Sequence, residues 1–179
     1  QNTNLTASNL SFANLWGANL NKAKLTGADL KRAELSWAEL NMADLKNADL
    51  GEANVISAQL RNADLQGAIL KWTDFNGAFL NEANLSSTDL FRATFKRAQM
   101  IKANLTNANL ILANLVESNL TEANFTGAVM IDVVVFEKNW LQLLNDWRVI
   151  GAREIIDRYK IVDETSTGKH LYQLKKIDY

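Results

Sequence analysis

Large apolar side chains recur at every fifth position from Leu5 to Met130, 26 in succession without an insertion. Twenty are Leu; the others are Val55, Phe75, Phe95, Met100, Phe125 and Met130. Two residues before each stands a small side chain, Ala in 21 of the 26 units and otherwise Thr3, Ser8, Thr73, Thr88 or Ser118. The residue between them is usually Asn, Asp, Gln or Glu, as in Ala13-Asn14-Leu15 and Ala28-Asp29-Leu30. The unit reads A-[N/D]-L-x-x.

A period of five fits neither regular element. On a helix at roughly 100° per residue, five residues advance about 500°, or about 140° net, so the Leu positions would scatter around the axis. On an extended strand an odd period sends successive Leu side chains to opposite faces. A chain that turns a corner every five residues satisfies the pattern. Each Ala-x-Leu triplet then forms one short side, with Ala and Leu inward and the middle residue outward. The two x residues make the corner. Ala is required because a larger inward group would overfill a narrow interior. Stacked coils bury one continuous Leu column that a single coil cannot bury alone, at about 1.5–3 kcal/mol per Leu. Outward Asn and Asp are suited to bonding backbone groups at the corners.

These 26 in-register units, covering residues 3–130, resemble the pentapeptide-repeat family. Long, regular arrays of this kind are similar to those abundant in cyanobacteria. The resemblance implies an all-β fold, a right-handed quadrilateral β-helix with four repeats per coil. Four sides per coil give about 6.5 coils, which at the β-spacing of roughly 4.8 Å form a rod of about 30 Å.

Residues twenty apart then lie above one another, so each face can be read separately. The face centred on Leu5, Leu25, Leu45, Leu65, Leu85, Leu105 and Phe125 has Ala7, Gly27, Asn47, Gly67, Ser87, Asn107 and Gly127 at its second corner position. Gly and Asn tolerate positive φ, which predicts type II turns along that edge. The next face, centred on Leu10, Leu30, Leu50, Leu70, Leu90, Leu110 and Met130, turns apolar outside from the fourth coil onward. Its stripe is Ile69, Trp72, Phe91, Ile111, Leu112, Val129 and Ile131. Other outward apolar residues, Trp16, Trp37, Met42, Ile56, Phe79, Ile101 and Val116, are scattered. Single exposed apolar residues are ordinary, whereas a stacked run marks a partner or a covering element. The stripe is therefore a candidate seat for the C-terminal segment, for a second copy or for another protein.

After Met130, Val133-Val134-Val135-Phe136 break the small-then-polar rule. Phe136, Trp140, Leu143, Leu144 and Trp147 follow helical spacing and predict a helix near 136–148. Beyond Gly151 a second helix near 152–159 would bury Ile155, Ile156 and Tyr159. Residues 160–162 and 171–174 read as two strands of a hairpin through Thr165-Ser166-Thr167-Gly168. Two units follow: the β-helix over 1–131 and a small α/β segment over 132–179. Some 45 residues make a marginal core alone, so the segment is expected to cap the open coil edge.

Charge and chemistry narrow the picture further. The chain holds 19 basic and 20 acidic residues, a formal net charge of -1, so no strong field favours nucleic acid or an anionic membrane. No apolar run spans a bilayer, and Pro and Cys are both absent. The single histidine, His170, falls in the hairpin and reads as a surface residue. There is no Cys/His metal set and no Gly-rich phosphate loop. The stacked Asp29, Asp49 and Asp89, interrupted by Ile69, read as turn residues rather than an acid/base pair. The expectation is a non-enzymatic protein without cofactor that binds a protein partner or itself, with no nucleic acid and no membrane insertion. Some members of the family mimic B-DNA and inhibit DNA gyrase. That alternative needs an acidic rod, whereas residues 1–130 hold 12 acidic and 11 basic side chains. The chain starts at Gln1 rather than Met, without a charged-then-apolar leader. A leader removed on export, to a periplasm or thylakoid lumen as for many cyanobacterial members, is one reading, and a trimmed cytoplasmic chain the other.

Overall fold

The computed structural model describes residues 2–163 and 171–177. Each middle residue forms a parallel β-bridge with the residue twenty further on, from Asn4 with Lys24 to Asn114 with Val134. Four short sides therefore make one turn of a solenoid. Its interior is one continuous core of inward Leu and Ala, fully buried from Ala23 onward.

One repeat shows why the consensus is what it is. Asp44 N–H donates to Ala23 O in the preceding coil at 2.9 Å, and Leu45 N–H to Asp64 O in the following coil at 2.7 Å. Asn47 N–H donates to Gln66 O at 3.0 Å, and Ala48 N–H closes the corner on Leu45 O at 3.1 Å. Only the first corner residue, Lys46, has no backbone acceptor; its N–H donates to Asp44 Oδ1 at 3.3 Å. Since a buried or half-buried amide must be paired, the middle residue is Asn or Asp. Where it is longer, as at Glu39, Gln59 and Gln99, an Asn one coil earlier takes over. Asn41 N–H donates to Asn21 Oδ1, Arg61 N–H to Asn41 Oδ1 and Ile101 N–H to Asn81 Oδ1, at 3.0, 3.0 and 3.1 Å. Glu34 uses both oxygens, accepting from Ser36 N–H and Asn54 Nδ2, each at 2.9 Å. The bonding to Ser36, first, lowers the pKa of its carboxyl against the opposing effect of burial, and the bond from Asn54 adds to the lowering.

The inward polar exceptions are satisfied as well. Thr73 Oγ1 donates to Leu50 O, Thr88 Oγ1 to Leu85 O and Ser118 Oγ to Leu115 O, at 2.8, 2.6 and 2.8 Å. The described residues leave no buried side-chain polar atom without a partner.

Positive φ occurs along the edge where Gly and Asn predict it, at every second corner residue from Ala7 to Gly127. Positive φ is not confined to the Gly/Asn edge: the second corner residue is left-handed on all four edges, including Phe12, Trp37, Trp72, Arg92 and Leu112 at φ 55 to 62°. The reason is the backbone ladder. That residue's N–H must reach the next coil while the following N–H closes the turn, and only a left-handed residue aims both. Ladder bonds offset the strain.

The end of the repeat also differs from the sequence reading. Val133-Val134-Val135 forms one more side after Met130: Val134 bridges Asn114, and Val133 and Val135 are buried at 0% exposure. Val fits because its branched side chain fills the column where Ala and Leu otherwise stand. Val134–Val135 doubles as β1. Helix α1 spans Trp140–Asp146, shorter than 136–148, because the chain is still sheet-paired at Val135. At its other end Arg148, at φ 53°, lets Val149 N–H donate to Leu144 O at 2.9 Å, a Schellman ending that stops the helix. Helix α2 (Ala152–Arg158) and strands β2 (Tyr159–Asp163) and β3 (Tyr172–Lys176) follow. The sheet order is β1-β3-β2, all antiparallel. The turn expected at Thr165-Ser166-Thr167-Gly168, and His170, lie outside the described residues.

This segment sits on the last coil. Phe125 N–H donates to Ile150 O, Glu122 N–H to Trp147 O and Asp132 N–H to Leu174 O, at 2.9, 2.7 and 2.7 Å. Gly127 N–H reaches Glu154 Oε2 and Met130 N–H reaches the Tyr159 hydroxyl, both at 3.1 Å. Gly151 makes the seat possible. Its φ is +85°, and a Cβ there would stand 2.9 Å from Thr126 N and 3.2 Å from Phe125 C, both backbone. Gly151→Ala is expected to cost about 1–3 kcal/mol from conformation alone. Urea unfolding checks it, with faster amide exchange at Phe125 and Ile150.

Candidate interaction surface

The corner column after the Leu10–Met130 face stacks Phe12, Arg32, Glu52, Trp72, Arg92, Leu112 and Asp132. Beside it the first corner column stacks Ser11, Lys31, Gly51, Lys71, Phe91, Ile111 and Ile131. Sheet register thus brings together residues that are twenty apart in the chain. Of the stripe read from the sequence, Ile69, Trp72 and Val129 are exposed, at 42, 49 and 38%. Phe91, Ile111, Leu112 and Ile131 are half-buried. Phe91 is shielded by Trp72, whose ring meets it edge-on at 5.4 Å between centroids. Ile131 alone packs against the core that the C-terminal segment joins. The hydrogen bonds of the described C-terminal residues run to the last coil, not along the stripe.

The structure extends this surface in a way the sequence reading missed. A groove of about 330 Å³ runs from Ser11 and Phe12 to Ile69 and Trp72, past Gly51. Phe12 is 68% exposed and lies under the Arg32 guanidinium, 5.6 Å from its ring centre. The signal was available: Phe12 is in the same twenty-residue column as Trp72, but the intervening Arg32 and Glu52 hid the continuity. In the fold those two charges lie flat along the edge, Arg32 Nε and Nη2 donating to Glu52 at 2.9 and 3.1 Å. Val116, read as outward, is buried, in the column that Phe136 extends.

Charges on this face neutralise one another. Lys31 Nζ lies 2.9 Å from Asp49 and 3.7 Å from Asp29, and Lys71 Nζ 3.1 Å from Asp89. Asp132 pairs with Lys175 at 2.7 Å. The hydrogen bond to Asp49 raises the Lys31 pKa above its usual value, and that to Glu52 raises the Arg32 pKa. Such exposed pairs contribute little stability. They leave the surface nearly neutral between its aromatic residues. Among the described residues, no group of His, Cys, Asp and Glu could hold a metal ion, and no helix is long and apolar enough to cross a membrane.

Stacked five-residue sides with an apolar ladder on one edge define a repeat scaffold, a β-solenoid that offers a surface rather than a cleft. The family described as Pentapeptide repeats matches in 8 copies, over residues 3–41, 28–67, 43–81, 68–107 and 98–134, and the chain belongs to that family. The solenoid is accordingly a right-handed β-helix. Proteins of this family are in general structural or interaction modules rather than enzymes.

Solved structures similar to it include HetL, a pentapeptide repeat protein involved in heterocyst differentiation regulation from the cyanobacterium Nostoc. It is 28% identical, with 72% of this chain and 83% of that one covered and a TM-score of 0.27. A pentapeptide repeat protein of the Arabidopsis thaliana thylakoid lumen is 25% identical over 72% of this chain and 74% of that one, TM-score 0.35. QnrB1, a plasmid-mediated fluoroquinolone resistance protein, is 19% identical over 83 and 87%, TM-score 0.41. No curated protein matches the chain.

Proposed function

We propose that the protein is a non-enzymatic interaction module: a rigid β-helix of about 6.5 coils that binds a protein partner or a second copy through the apolar ladder on one edge. Residues 1–131 form the binding rod and 132–179 a C-terminal cap, with the side at Val133–Val135 as their junction. The observation that carries this reading is the exposed set Phe12, Ile69 and Trp72, which line one groove and are 42–68% exposed on a backbone that is hydrogen-bonded from coil to coil. A surface held that rigidly loses little entropy on binding, and Trp-centred apolar clusters are where binding energy concentrates.

The DNA-mimic reading has less support. A rod that passes for DNA presents unneutralised negative charge along its length. Here the acidic column at Asp29, Asp49 and Asp89 is matched by Lys31 and Lys71.

The test is a pull-down from an extract of the source organism, comparing the protein with a Trp72→Ser, Phe91→Ser double variant after light scattering on both. Loss of a partner or of self-association in a variant that keeps its β-sheet circular dichroism supports the reading. Unchanged recovery and unchanged oligomeric state would refute it.

A further inference from the structure

We propose that the stripe recognises a partner segment in which a carboxylate stands beside a large apolar side chain, and that Arg92 takes the carboxylate. The inference rests on reading this edge as an interaction surface and names the partner's chemistry.

The ion pairs described above account for every other charge on this face and its edge, from Asp29 to Asp132. Arg92 is the exception. It is exposed, and among the described residues no carboxylate pairs with it; its guanidinium carbon lies 5.5 Å from the centre of the Phe91 ring. Register puts it one coil from Trp72 and one coil from Leu112, roughly 4.8 Å each way along the rod. A single unneutralised cation therefore lies in the middle of the apolar ladder. Phe91 is itself fixed by Trp72 at 5.4 Å, so the guanidinium rests on a braced aromatic surface.

The chemistry follows from that position. A guanidinium is planar and weakly hydrated and matches a carboxylate with two parallel N–H donors. It is therefore suited to an ion pair beside apolar contacts, where an ammonium would lose more hydration. A phosphate group is a poorer fit: it calls for several donors, and this face has no second unpaired cation. The ladder's backbone amides are already engaged between coils. A side-chain carboxylate flanked by Phe, Leu or a similar group satisfies both parts of the site.

Two capped synthetic peptides serve as probes, one with a Glu-Phe-Glu-Leu core and one with Gln replacing each Glu. Binding is followed by NMR on the indole of Trp72 and the Nε–H of Arg92. The acidic peptide is expected to bind roughly tenfold or more tightly than the Gln peptide, as for hydrogen bonds to a charged group. Arg92→Gln should abolish that difference without altering the fold, since it removes only an exposed side chain. Added salt should narrow the difference. If both peptides bind equally and Trp72→Ser abolishes both, the surface reading stands and the role of Arg92 falls. If neither peptide shifts the Trp72 and Arg92 signals, or if the preference for Glu persists in Arg92→Gln, the inference is overturned.

Discussion

Phe75→Ala is expected to lower the unfolding free energy by about 3–5 kcal/mol. Phe75 is fully buried, and its ring stacks on Phe95 one coil above, at 5.0 Å between centroids and 4° between planes. Truncation costs more when the surroundings cannot collapse into the cavity. Here they cannot: the coil at Phe75 is held on both sides by ladder bonds. Phe75 N–H reaches Thr94 O at 2.8 Å and Asp74 N–H reaches Ala53 O at 3.0 Å. Inward Ala residues have no rotamer with which to fill the space. Urea unfolding of wild type and variant measures the loss directly. Because each coil touches only its neighbours, faster amide exchange should spread from this coil to those above and below and fade with distance. A loss below about 1 kcal/mol would show that the interior relaxes, and that spacing between coils is softer than its hydrogen bonds imply.

Trp140→Ala should act at one end. Trp140 is 3% exposed and packs edge-on against Trp147, with 6.4 Å between centroids. With Leu144 it supplies the buried side chains of α1. Removing it should cost about 3–5 kcal/mol of docking. The seven-residue α1 has no stability of its own to replace that loss. Hydrogen exchange read by mass spectrometry should show lost protection at Glu122 and Phe125, whose N–H groups donate to Trp147 O and Ile150 O. The coils from Leu25 to Leu85 should stay protected. A uniform loss along the rod would instead mean that the C-terminal segment and the solenoid unfold as one unit, against the capping role.

These variants separate residues that hold the fold from residues that stand on its surface. Phe75 and Trp140 are buried in the fold, whereas Trp72 and Arg92 are exposed, so their replacement is expected to act on the proposed binding more than on stability. The distinction comes from position in the five-residue unit. Phe75 holds the Leu position, whereas Trp72 and Arg92 are second corner residues whose side chains lie outside the core.

Much of this was legible in the chain itself. A five-residue period calls for a chain that turns a corner every five residues with every Leu inward; the resemblance to the pentapeptide repeats implies four such sides per coil, and with them the columns of residues twenty apart. The stripe from Ile69 to Ile131 follows from the same count. Three matters were decided only in the tertiary structure. Left-handed corners occur at Arg, Trp and Leu as readily as at Gly, because inter-coil bonds outweigh the side chain's local preference. The repeat runs on through Val133–Val135, although those residues break the consensus, because a stacked edge accepts any chain that can fill the column and bond the ladder. The geometry of the surface charges is the third: register names the column neighbours, but only the fold shows which groups meet, as Lys31 meets Asp49 across two columns at 2.9 Å. Arg32 and Arg92 occupy the same repeat position three coils apart, and only the side chain one coil further on, Glu52 in one case and Leu112 in the other, determines that the first is neutralised and the second left free.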